Sequence, residues 1–144
     1  MKVVLDCNII ISFLINPGEN IKKIKDAWQN NIFKLLISDE IITEVKEVLI
    51  RLEKLKFFNS HESMTLLKLL LKNSTFIKTI STVEECDDKK DNRYLSCAND
   101  GKANYLVTGD EHHLIPMRKY KYTKIISPSD FCLILSALPS KLAS

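Results

Sequence analysis

Lys2-Val-Val-Leu-Asp6-Cys-Asn8-Ile-Ile-Ile-Ser12-Phe-Leu-Ile15 starts apolar, breaks to Asp6 and Asn8, then turns apolar again. Val3-Val-Leu reads as a short buried strand. Asn8 to Ile15 reads as an apolar helical segment, stopped by Asn16-Pro17-Gly18. A strand closed by an acid and followed at once by a helix is the opening of a parallel α/β unit. Tyr105-Leu-Val-Thr-Gly-Asp110 repeats the pattern near the other end of the chain. In an open parallel sheet all strands point the same way, so residues at their carboxyl ends meet in one crevice. Asp6 and Asp110 are therefore expected to be neighbours.

The rest of the chain alternates in the same sense. Ile21, Ile24 and Trp28 mark one face of a second helix, and Phe33-Lys-Leu-Leu-Ile37 a second strand. Ser38-Asp39-Glu40 opens a third helix with acidic residues in its first turn. Its apolar stripe is Ile41, Ile42, Val45, Val48, Leu49 and Leu52, and Glu44 falls on that side, one turn in, where it can lean over the strand ends. Asn59 to Glu62 has the form of a capping box for a helix carrying Met64, Leu67, Leu70 and Leu71. Thr75–Ile80, Asn104–Val107 and Lys124–Ile126 are candidate strands. Asp91 precedes a helix with Tyr94, Leu95 and Ala98 inward, and Ser127-Pro-Ser-Asp130 opens a last helix through Phe131, Leu135 and Leu138. Strands alternating with helices predict a parallel α/β fold in a single domain spanning 1–144.

A net charge of +3 neither demands nor excludes a polyanionic partner. Cys7, Cys86, Cys97 and Cys132 show no C-x-x-C spacing, and the only signal-like run, Val3 to Ile15, carries Asp6 and Asn8. Reduced thiols in a soluble, cytoplasmic protein are the expectation, with no membrane contact.

Asp6 and Asn8 at a strand end place two oxygen donors at the lip of the sheet, although both residues are also good helix caps. Glu44, Asp91 and Asp110 complete a set of four acids. Read as a set without basic partners in the local sequence, such a cluster is expected to persist where a hard divalent cation neutralises it. Asp87 and Asp88 crowd the same acidic loop as Asp91, where a solvated surface is the plain reading. Gly109 is expected to permit a sharp turn that exposes Asp110. His112 and His113 suggest zinc, but adjacent histidines diverge and no cysteine or third histidine stands at ligand spacing. Arg118-Lys-Tyr-Lys-Tyr122 interleaves cations with aromatics, as binders of single-stranded nucleic acid do. Arg118, Lys119 and Lys121 are the candidate nucleic-acid contacts beside the site; the plain reading is a polar loop.

The order Asp6-x-Asn8, Ser12, Glu44, Asp91-Asn92 and Thr108-Gly-Asp110 resembles PIN domains, and among them the VapC-like toxin ribonucleases of prokaryotic toxin–antitoxin systems. The resemblance runs over nearly the whole chain, including Ile126-Ser-Pro-Ser-Asp-Phe131. It implies an α/β/α sandwich of three layers around a central parallel sheet, and RNA cleavage that depends on Mg²⁺ or Mn²⁺. The catalytic and metal-holding acids carry over to Asp6, Glu44, Asp91 and Asp110. Asn8, Ser12 and Thr108 carry over as supporting polar residues. A separate antitoxin chain and a homodimer are the implied partners. Two departures stand out: Cys7 occupies a frequent threonine position, with its side chain expected to face away from the pocket, and His112 occupies a frequent aspartate position.

Rival α/β classes fail at named residues. A haloacid-dehalogenase-type phosphatase needs a second aspartate where Asn8 stands, and Asn8 cannot transfer the leaving group's proton. A response-regulator receiver needs an aspartate at the end of a central strand, where this chain has Thr79-Ile80, and a lysine after its last strand, whereas Lys124 precedes that strand. A PIN-fold module that binds RNA or protein without catalysis is the remaining alternative. The expected mechanism is phosphodiester hydrolysis, with Asp6, Asp91 and Asp110 around one or two cations and Glu44 orienting or deprotonating the attacking water.

Overall fold

In the computed structural model, residues 1–15, 18–81, 83 and 90–139 are described. The first two elements are β1 (Lys2–Leu5) and α1 (Cys7–Ser12), followed by α2 (Glu19–Gln29), β2 (Lys34–Ile37) and α3 (Asp39–Lys54). Next come α4 (Ser60–Asn73), β3 (Ser74–Phe76), α5 (Asn92–Asp100) and β4 (Tyr105–Val107). A single 3-10 turn (Ile115–Met117), β5 (Lys119–Tyr120), β6 (Thr123–Ile126) and α6 (Pro128–Ser136) complete the described chain. Asp87, Asp88 and Cys86 lie outside the described residues.

The six strands form one sheet in the order β3-β2-β1-β4-β6-β5. All pairings are parallel except β5 with β6. The chain leaves β1 toward β2 and β3, then returns across β1 to β4. The order therefore reverses between β1 and β4, where open α/β sheets place their ligand crevices. Helix α5 packs on β1, β2 and β4 and on α3, while α2 packs on α6. Phe131 of α6 meets the rings of Phe33 and Tyr105. Val3, Val4, Leu35, Leu36, Leu106 and Val107 are almost wholly buried, as strands covered on both faces require.

Local chemistry explains most boundaries. Ser38 caps α3 by accepting from the Ile41 N–H, and the Asn59–Glu62 capping box is complete at α4. Helix α1 is shorter than its apolar run suggested; it ends at Ser12, whose hydroxyl bonds back to the Asn8 carbonyl. The buried side of α4 is Ser63, Leu66 and Leu70, with Leu67 packed against the core; Leu70 and Leu67 are as expected, whereas Met64 and Leu71 are exposed. The third strand is only Ser74–Phe76. Gly101 is needed for close approach: a Cβ there would sit 2.7 Å from Leu36 Cδ1 and 2.9 Å from Ile77 Cγ1. Lys119 and Tyr120, read from sequence as a polar loop, pair with Lys124 and Thr123 as a short antiparallel edge strand. Lysine against lysine at this outermost pair discourages further strands from adding.

Candidate active site

Asp6 ends β1 and caps α1, so the cap and the site are one residue. Its Oδ1 accepts from the Ile9 N–H at 3.1 Å, and its Oδ2 accepts from the Thr108 hydroxyl. The Gly109 and Asn8 N–H groups also donate to it. Asp6 is nonetheless buried, and desolvation outweighs these bonds and raises its pKa above the ordinary value of 3.8.

Thr108, fully buried at the end of β4, ties the two strand ends together. Its Oγ1 donates to Asp6 and accepts from the Asp110 N–H at 3.0 Å. That bond turns the chain so that Asp110 faces the crevice. Gly109 has no positive φ, and nothing lies within 4 Å of a Cβ placed on it, so the expected glycine turn is not what exposes Asp110. Asp110 Oδ1 then accepts from the His112 and His113 N–H groups at 3.0 and 3.1 Å. Partial burial pushes the Asp110 pKa up, but a hydrogen bond with Asp91, these two N–H groups and the nearby His113 together hold it below 3.8.

Asp91 is the residue before α5, yet its side chain makes no capping bond to that helix and meets Asp110 instead. One ligand atom from each of Asp91, Asp110 and His113 lies within 4.8 Å of the others. His113 Nδ1 is 3.5 Å from Asp110 Oδ2.

Glu44 reaches the cleft from α3. Its Oε1 accepts from the Tyr94 hydroxyl and lies 3.7 Å from Arg93 Nη1. The Tyr94 oxygen in turn accepts from the Cys7 N–H at 3.0 Å, linking α5 to α1. Burial first, and then Glu44, push the Tyr94 pKa well above that of an ordinary tyrosine, so it is a fixed donor. Cys7 borders the cleft and is almost fully buried; burial, Glu44 and Asp6 raise its thiol to about 12.

All four acids line one cleft of about 510 Å³, with Asn8, Ser12, Tyr94, Gly109, His112 and His113 beside them. Thr108 supports it from below. Ser12 spends its proton on its own helix. Arg118, Lys119 and Lys121 do not reach the cleft. The β5–β6 turn precedes β6 at the amino ends of the parallel strands, and Lys121 acts on Asp100, at the far end of α5 from Asp91. The expectation that they flank the site is thus corrected for Lys121, whereas Arg118, whose carbonyl accepts from the Ile125 N–H, stands nearer the carboxyl end of β6 without lining the cleft. The cations whose charge is felt inside it, at Cys7, are Arg93 and Arg51. Arg93 also corrects the expectation of acids without a basic partner: it stands two residues after Asp91 and reaches Glu44.

Sequence reasoning missed Tyr94 and Arg93 as site residues and His113 as a cluster member. For the first pair a signal existed, since both follow Asp91 within one helical turn.

A PIN-domain family model matches residues 2–112, a span that holds all four acids. The chain belongs to the PIN-domain family. An uncharacterized protein of Methanocaldococcus jannaschii is 29% identical over 126 residues, covering 87% of this chain and 81% of that protein. Among solved structures, VapBC2 from Rickettsia felis, bound to a DNA fragment from its promoter, matches with a TM-score of 0.60. That match has 14% identity and covers 88% of this PIN domain and 98% of the other chain. It is a likeness of fold. PIN domains are generally nucleases that use divalent metals, and the donors here suit one: two carboxylates and an imidazole within reach of a single cation, with two more carboxylates lining the same cleft. Among the described residues no helix is long and apolar enough to cross a membrane.

Proposed function

We propose that this PIN domain is a divalent-metal-dependent ribonuclease, and that the chain, as a single domain over 1–144, is the toxin half of a toxin–antitoxin pair acting in the cytoplasm. The observation that carries the nuclease reading is the convergence of four acids at the reversal point of the sheet. The fold likeness to VapBC2 supports the toxin reading and, with it, an antitoxin as a separate chain; a homodimeric toxin is part of the same proposal.

Asp91 and Asp110 would hold the cation, Mg²⁺ or Mn²⁺, with Asp6 behind them. When bound, it supplies Lewis-acid activation of the scissile phosphate and of the attacking water. The side chains do the rest. Thr108 sets the spacing of Asp6 and Asp110 by bonding to both. Glu44 is fixed through Oε1 by Tyr94 and Arg93, so Oε2 is the oxygen we assign to orienting the water and taking its proton. Arg93 also offers positive charge to the RNA backbone.

The test is RNA cleavage by purified protein. Activity should require Mg²⁺ or Mn²⁺ and stop with EDTA. Asp110→Asn should lower the rate on the order of a thousandfold, since the lost charge stabilisation is several kcal/mol. Cleavage that survives chelation, or wild-type rates in both Asp6→Asn and Asp110→Asn, would sink the proposal.

A further inference from the structure

We propose that His113 is a nitrogen ligand of the bound cation and makes this centre select Mn²⁺ over Mg²⁺. The inference rests on the metal-dependent reading above and concerns which cation the site takes. Three observations carry it. First, an imidazole nitrogen stands with one oxygen each of Asp91 and Asp110 inside a 4.8 Å group. Second, His113 Nδ1 and Asp110 Oδ2 are 3.5 Å apart, too long for a good hydrogen bond. Adjacent ligands of one octahedral cation are separated by roughly 3 Å, so the pair needs little adjustment to share a metal. Third, the local backbone presents the ring. Asp110 Oδ1 is engaged by the His112 and His113 N–H groups, which fixes the turn and leaves Oδ2 on the side of the imidazole.

The bland alternative is a surface Asp–His pair of little consequence. It does not explain why Asp91 joins them or why the three atoms border the crevice with Asp6 and Glu44. His112 serves as an internal control. It lines the cleft but is outside the three-atom group, and its ring centroid is 6.5 Å from that of His113.

The consequence follows from donor chemistry. Mg²⁺ takes oxygen ligands and demands near-ideal octahedral geometry at short distances. Mn²⁺ accepts carboxylate readily, stands on the transition-metal affinity series, and tolerates imidazole better than Mg²⁺ does. Replacing one oxygen by nitrogen costs Mg²⁺ more than Mn²⁺.

The experiment uses the full chain loaded with Mn²⁺ alone. Pulsed EPR should detect ¹⁴N coupling from one imidazole, replaced by ¹⁵N coupling after histidine labelling. The coupling should vanish in His113→Ala and persist in His112→Ala. Calorimetric titration should show the ratio of Mn²⁺ to Mg²⁺ affinity falling about tenfold or more in His113→Asp, whose ligand set is all oxygen. Circular dichroism confirms that each variant is folded. Bound Mn²⁺ without nitrogen coupling, or an affinity ratio unchanged in His113→Asp, overturns the inference and leaves the nuclease reading standing. Failure of both cations to bind the folded wild type overturns the nuclease reading itself.

Discussion

Asp6, on the inner wall of the cleft, is 6% exposed and accepts from four groups of the protein, whereas Asp110, at the outer side, stands with Asp91 and His113 near solvent. The electrostatic outcomes are opposite. Burial raises the pKa of Asp6, and hydrogen bonds hold that of Asp110 down. The inner wall is a built scaffold of Asp6, Thr108, Glu44, Tyr94 and Cys7, in which both Asp6 oxygens and Glu44 Oε1 already have protein donors. The outer group is where a cation meets the least competition. One PIN cleft therefore holds a buried carboxylate tied into the protein beside a more exposed pair of carboxylates grouped with an imidazole.

Tyr94→Phe strikes the scaffold half and should produce the largest effect. The hydroxyl donates to Glu44 and accepts from the buried Cys7 N–H, so its loss unpairs two groups. Destabilisation of about 1–3 kcal/mol is expected from the stranded donor. Cleavage should fall about 10–100-fold, as for other residues that orient a group at a metal site. Mn²⁺ affinity, by contrast, should hardly change, because the Tyr94 hydroxyl bonds to Glu44 and Cys7 rather than to a ligand atom of the outer group. A variant that loses metal binding in proportion to activity would merge the two halves.

The second prediction contrasts the aspartates through pH in the presence of a chelator. The folded pKa of Asp6 lies above its unfolded value of 3.8. The native state then binds more protons, so stability falls as pH rises from 3.8 through the folded pKa, and the cost is complete above it. Asp110 is the reverse: its folded pKa is below 3.8, so it contributes stability above that pH, lost as pH falls through the folded value. At neutral pH, metal-free Asp6→Asn should melt at or slightly above wild type, since an amide oxygen can still cap Ile9. Asp110→Asn should melt below it, and both differences should shrink on acidification. Both variants should lose most of the melting-temperature rise that divalent metal gives by mass action. Melting scans across pH settle the matter: shifts of the same sign in the two variants would erase the distinction between wall and outer group.

The scaffold and the outer group were not equally legible in sequence. Asp6 and Asp110 announce themselves because each closes an apolar strand, and strand ends in a parallel sheet converge whatever the side chains do. Asp91 follows from standing just before a helix. Glu44 was placed by helical periodicity alone. Tyr94 was read as inward, which is true, but nothing in periodicity says that its hydroxyl would find Glu44 from 50 positions away. His113 depends on the turn after Asp110, where two N–H groups fold back on one carboxylate oxygen, and adjacent histidines in sequence gave no sign of which would enter. The β5 strand escaped because two residues carry no alternation to read. Its discovery relocates the basic residues.

That relocation sets the smallest prediction. Arg118, Lys119 and Lys121 stand along the β5 edge and its turn, away from the cleft, with Lys121 beside Asp100. For RNA confined to the cleft they would act as long-range charge, which salt screens over about 10 Å at 0.1 M. Replacing all three by alanine should leave cleavage at saturating RNA and the metal-induced melting shift unchanged. Binding should weaken only at low salt, and the salt slope should flatten by less than three phosphate contacts would require, because slope counts released counterions. Arg93→Ala provides the contrast from inside the cleft, where loss of one cation should weaken binding at every salt concentration and release Glu44 from its partner. If the triple variant instead loses three contacts' worth of slope, RNA must wrap from the carboxyl ends of the strands around the β5 edge, and the substrate path extends well beyond the acidic cleft.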